Sequence, residues 1–95
     1  MFIVKLKFSD NKSLAKDYME GHKAWLQTWF EKGVFILSGS IKPSGGGAII
    51  AIGVGQMELE SIIAEDPFVI EGVVKPEITE LAVSKSDERL SFLLE

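Results

Sequence analysis

The chain has 95 residues, of which 46% are hydrophobic and 25% charged, with a net charge of −4 and no cysteine. This composition fits one packed domain and excludes intrinsic disorder, a disulfide scaffold and thiol chemistry. It also argues against a nucleic-acid partner: affinity for a phosphate backbone comes from clustered Lys and Arg, and the ten basic residues here form no run.

Phe2 to Phe8 alternates, with Phe2, Val4, Leu6 and Phe8 on one side and Ile3, Lys5 and Lys7 on the other. That is the period-two pattern of a strand with one apolar face. No basic region, apolar stretch and small-residue cleavage site precede it, so a cytoplasmic protein is expected. The polar run Ser9-Asp10-Asn11-Lys12 breaks the strand. Ser13 is the expected N-cap of a helix on which Leu14, Tyr18, Met19, His22, Trp25, Leu26 and Trp29 recur at helical spacing. Lys32 and Gly33 end it. Gly21 inside this helix costs about 1 kcal/mol relative to alanine. Close approach of another group beside His22 and chance are both open readings of it.

Val34-Phe35-Ile36-Leu37 opens a second strand that ends near Ile41, Pro43 to Gly47 form a turn, and Ala48 to Val54 form a third strand, apolar on both faces. The short connection predicts an antiparallel hairpin. The uncharged, glycine-rich run from Pro43 to Met57 is too short to cross a membrane, so no membrane partner is expected. After Gly55-Gln56 a second helix places Leu59, Ile62 and Ile63 inside and Glu58, Glu60 and Glu65 outside. Pro67 disfavours helical backbone at Asp66 and suits the first position of a new turn, so Asp66 is predicted to cap a short turn through Val69 and Ile70. Glu77 to Val83 alternates as a fourth strand, and Ser86 can cap a short terminal helix carrying Leu90, Leu93 and Leu94.

The order β-α-β-β-α-β with a tail predicts a single α+β domain over residues 1–95: a ferredoxin-like core (1–84) with a four-stranded antiparallel sheet, and a helical tail (85–95). Strict alternation puts Phe35, Leu37, Ile49 and Ala51 on one sheet face and Ile36, Ile50 and Ile52 on the other. The face left open by the helices is then too apolar for a lone chain, and a homodimer packed sheet against sheet is expected.

His22 is the sole histidine, and imidazole is the side chain that titrates nearest neutrality, at about 6.5 when unperturbed. A carboxylate bonded to one ring nitrogen fixes the tautomer and stabilises the imidazolium, leaving the other nitrogen to move a substrate proton. His22 lies four residues after Tyr18 and four before Leu26, and Asp66 lies three after Ile63, so both sit on inward stripes that can converge. Against this, a single histidine on an apolar helix face is more often structural, and capping alone accounts for Asp66. One histidine without cysteine argues against a metal site. Gly45-Gly46-Gly47 precedes a strand rather than a helix and is no phosphate loop. Lys5 and Lys7 can attract an anion or simply be solvated.

Four pieces together resemble the YCII-related (YciI-like) family over about residues 1–83: His22, Leu37-Ser38-Gly39, Gly45-Gly46-Gly47 and Glu65-Asp66-Pro67-Phe68. The Asp-Pro-Phe triplet is the most specific of them. The resemblance implies a fold of the dimeric α/β-barrel group, a His–Asp active-site pair that maps to His22 and Asp66, no organic cofactor, and a small organic substrate. Ser40 stands where a proline is common. Ser38, Gly39 and Phe68 are the candidate substrate-contacting residues, although Ser38 can equally end its strand and Phe68 can plug the core beneath Asp66. No nucleophile elbow surrounds Ser38. RNA recognition, which uses the same topology, fails on charge and on the missing strand aromatics. Two functions remain: an isomerase, lyase or hydrolase working through His22 and Asp66, or a non-catalytic small-ligand-binding or dimeric interaction module.

Overall fold

The computed structural model describes residues 1–95. Its regular elements are β1 (Phe2–Phe8), α1 (Ala15–Glu31), β2 (Phe35–Ser40), β3 (Gly47–Ala51), α2 (Gln56–Ile63), α3 (Pro67–Ile70) and β4 (Val74–Glu80), with 3-10 turns at Lys12–Leu14 and Glu88–Leu93. The sheet order is β2-β3-β1-β4 with every neighbouring pair antiparallel, which is the ferredoxin-like α+β arrangement expected. No helix is long and apolar enough to cross a membrane.

One face of the sheet builds the core. Phe2, Val4 and Leu6 of β1, Phe35 of β2, Ile49 and Ala51 of β3 and Val74 of β4 are buried against Trp25 of α1, Leu59, Ile62 and Ile63 of α2, and Phe68 of α3. Trp25 also ties the helices together, because its indole Nε1–H donates to the carbonyl of Ile62 at 2.9 Å. That carbonyl lies in the last turn of α2, where helical partners run out.

The boundaries differ from the sequence reading in four places. Ser13 is not a helix cap: it lies in the 3-10 turn, and the chain enters α1 already coiled, with Leu14 N–H bonded to the Asn11 carbonyl at 2.9 Å. β3 stops at Ala51, before Gly53 turns the backbone to φ +76°. β4 starts at Val74 and ends at Glu80, not Glu77 to Val83. Pro76 obscured that start, since proline argues against a strand; here it sits on an edge strand, opposite Leu6, and its missing N–H faces outward. The terminal turn is capped by Asp87, whose carboxylate accepts from Arg89 N–H at 2.9 Å, rather than by Ser86.

The largest correction concerns β2. Phe35 pairs with Ala51, but Leu37 pairs with Ile50 and Ser38 with Ile49, so a bulge absorbs Ile36. An extra residue reverses the alternation beyond it. Leu37 therefore joins Ile50 on the open face, where it is 55% exposed, and not Phe35 and Ile49 as strict alternation predicted. Ser38 is swung to the helix-covered face in its place.

Candidate active site

Asp66 is placed by local chemistry. Pro67 holds it in extended backbone (φ −64°, ψ 122°), α3 begins at Pro67, and the Asp66 Oδ1 accepts from Phe68 N–H at 2.9 Å. A capping aspartate is ordinarily solvated, yet Asp66 is 0% exposed. The same Oδ1 lies 2.8 Å from His22 Nδ1. A carboxylate oxygen only accepts, so Nδ1 carries the hydrogen and Nε2 is left without a protein partner. Capping and pairing with His22 are thus not alternatives; one oxygen serves both. The other oxygen, Oδ2, is buried with no hydrogen-bond partner.

The imidazole has little freedom. It stacks on Phe68 with ring centroids 4.1 Å apart and planes 6° from parallel, and Trp25 lies tilted at 5.7 Å. Its side chain is 14% exposed. Gly21, one residue earlier on α1, explains how the helix comes so near: a Cβ there would lie 3.0 Å from Pro67 Cγ. The missing side chain lets α1 seat against the residue that follows Asp66. This favours the close-approach reading of Gly21.

His22 borders a cavity of about 330 Å³ between α1 and the sheet, within the range of small-ligand sites. Ser38, Gly39 and Phe68 also line it, with Leu6 and Ile49 from the sheet core. The bulge in β2 is what brings Ser38 here. Gly46 shapes the same wall: its φ is +89°, and a Cβ would fall 2.1 Å from the Leu6 carbonyl oxygen, so no other residue fits. All five expected site residues therefore meet at one place, with Asp66 behind the imidazole and the other four on the cavity wall.

Lys5 and Lys7 do not belong to the site. They project from the opposite sheet face, where Lys7 pairs with Glu77. Lys23, Ser40, Met19 and Phe8 line the cavity and were not singled out as site residues. Their signal was present for α1, since Met19 and Lys23 flank His22 at −3 and +1. No three ligating side chains cluster as a metal site would require.

No protein-family model matches the chain, and no curated protein matches it. Among solved structures it is similar to 5-chloro-2-hydroxyhydroquinone dehydrochlorinase from Burkholderia phenoliruptrix, determined in complex with 2,5-dihydroxybenzoquinone. The TM-score is 0.69 at 17% sequence identity, over 85% of this chain and 93% of that one. The two chains share a fold. The match spans 85% of this chain and 93% of that one, so the β-α-β-β-α-β sheet is the common part.

Proposed function

We propose that this protein is a small acid/base enzyme of the YCII-related kind, with His22 as the proton-transfer group and Asp66 as the residue that orients it. The observation that carries the reading is the 2.8 Å bond between Nδ1 and a fully buried carboxylate, on a histidine whose ring also borders a cavity. A histidine retained only for packing needs neither a buried acid behind it nor an open hollow in front.

The reaction class best supported is lyase-type elimination on a small organic molecule. In such a step Nε2 takes a proton from a substrate C–H or O–H bond. The bonding pair becomes a new π bond, and the leaving group departs with its own electron pair. Asp66 stabilises the imidazolium until the proton is passed on. The structural neighbour is named for a dehydrochlorination on a hydroxylated ring, which favours elimination over isomerisation or hydrolysis. Ser38, Gly39 and Phe68 would hold the substrate, with no organic cofactor.

The test is turnover of a panel of halogenated hydroquinones, followed by chloride release, in wild type and His22→Gln. General acid–base catalysis is worth about 10²–10⁴-fold, and the variant is expected to lose that much. Saturable binding without turnover in wild type would instead support a non-catalytic ligand-binding module.

A homodimer belongs to the same proposal. The open sheet face carries Ile3, Leu37, Ala48 and Ile50, and apolar surface of this kind is ordinarily covered. Sedimentation at micromolar concentration should give twice the chain mass, 10.5 kDa. A monomeric mass would remove the dimer from the proposal.

A further inference from the structure

We propose that the His22 cavity selects a small organic anion, bearing a carboxylate, phenolate or enolate oxygen on a compact and largely apolar body, and that Lys23 is its anchor. The inference rests on the reading of this cavity as the substrate site and adds the charge of the substrate to it.

The chain carries 14 acidic against ten basic residues, yet no carboxylate lines this cavity. Asp66 is buried behind the imidazole, with its Oδ1 committed to His22 and Phe68. Lys23 lies on the cavity wall directly after His22 and is exposed. It forms no ion pair, even though Glu20 sits three residues back on the same helix, where such pairs commonly form. Lys12 is not on the wall, but its ammonium rests 4.6 Å from the centre of the ring of Phe8, which lines the cavity.

Neutral donors complete the arrangement. Ser38 and Ser40 lie two apart on β2 and therefore share the face that the bulge turned toward the cavity. Neither hydroxyl bonds a protein group, and a hydroxyl can donate to an anionic oxygen. An uncommitted ammonium, two free hydroxyls and no carboxylate form a site that would leave a cationic ligand unpaired. Apolar walls from Leu6, Met19 and Phe68 suit a compact carbon skeleton.

The experiment is a titration of ¹⁵N-labelled protein with benzoate and with benzamide, which match in shape and differ in charge. Benzoate is expected to shift the amides of Ser38, Gly39, Gly47 and Ala48 saturably, at least about tenfold more tightly than benzamide, with the preference shrinking as salt rises. In Lys23→Gln, an exposed substitution that leaves the core untouched, the two should bind equally. Equal affinity in wild type, no saturable shift at these amides with either probe, or a preference that survives in Lys23→Gln would each overturn the inference. His22→Gln separates this from the catalytic reading: it should keep the preference for benzoate while losing turnover. Failed discrimination with intact His22-dependent turnover would sink the anion alone.

Discussion

Two hollows of the molecule are similar in size and opposite in character. The one beside His22 brings an imidazole, an unpaired lysine and two free hydroxyls to a wall without acids. The other, about 370 Å³, lies where the C-terminal turn meets the start of β1 and contains Glu58, Glu80 and Glu95, with Phe92 exposed beside them. The only cation there is the chain's own amino terminus, which donates to the Leu81 carbonyl at 3.0 Å and lies 3.6 Å from Glu95. Volume does not tell these places apart; the chemistry of the lining does. An imidazole bonded to a buried carboxylate borders one hollow, and ordinary terminal contacts close the other.

The sharpest break between them is catalytic. Asp66→Asn, whose Oδ1 can still accept from Phe68 N–H and His22 Nδ1–H but which carries no charge to stabilise the imidazolium, should lower turnover about 10²–10⁴-fold with little loss of stability. Phe92→Ala in the other hollow should leave kcat/KM unchanged. Equal effects from the two would erase the distinction.

Backbone packing makes the same contrast in stability. Gly46 and Gly53 both have positive φ, one on each hollow, but only Gly46 is pressed against backbone. Gly53→Ala should cost about 1 kcal/mol, the strain of the left-handed region, whereas Gly46→Ala should cost at least about 3 kcal/mol because the Leu6 strand must move as well. Urea denaturation of the two variants measures the difference.

Gly21→Ala should split stability from activity. Helix propensity favours alanine by about 1 kcal/mol, and the 3.0 Å approach to Pro67 opposes it, so the melting temperature should move little. A displacement of a few tenths of an ångström between His22 and Asp66 should nonetheless reduce kcat about tenfold, since misplacement near 1 Å costs about 10²-fold. An unchanged kcat would show that the helix approach does not position the pair.

The smallest effect lies on the open sheet face. The Lys7 ammonium, by hydrogen bond and by charge, holds the Glu77 carboxyl below its ordinary value of 4.5. A lowered folded-state value means that the contribution is present above 4.5 and is lost as pH falls through the lowered value. Glu77→Gln should therefore shift thermal stability slightly near neutral pH and not at all in strong acid. The group is fully exposed, so solvent screening keeps the effect small.

Much of this architecture is legible in the sequence. The alternation of β1, the helical stripe through Trp25 and the proline after Asp66 each report a local period or a local steric rule, and each held. The element boundaries were less legible, because Pro76 hides a strand whose edge position is set only by pairing, and Ser13 and Ser86 resemble caps that their neighbours made unnecessary. Ser38 is a candidate site residue in the sequence although strict alternation assigns it to the opposite face. The bulge at Ile36 is invisible in the residue pattern, since nothing in Phe-Ile-Leu-Ser distinguishes one apolar residue too many.

By itself, the residue order determined the element succession, the apolar stripes and the cap at Asp66, because each depends on neighbours within a few positions. Tertiary structure alone decided that His22 meets Asp66 across 44 residues, that Gly21 admits the approach, and that Ser38 turns inward. These depend on which strands pair and in what register, and on how closely two helices pack. Such relations are settled by the free energy of the whole core, and no local period records them.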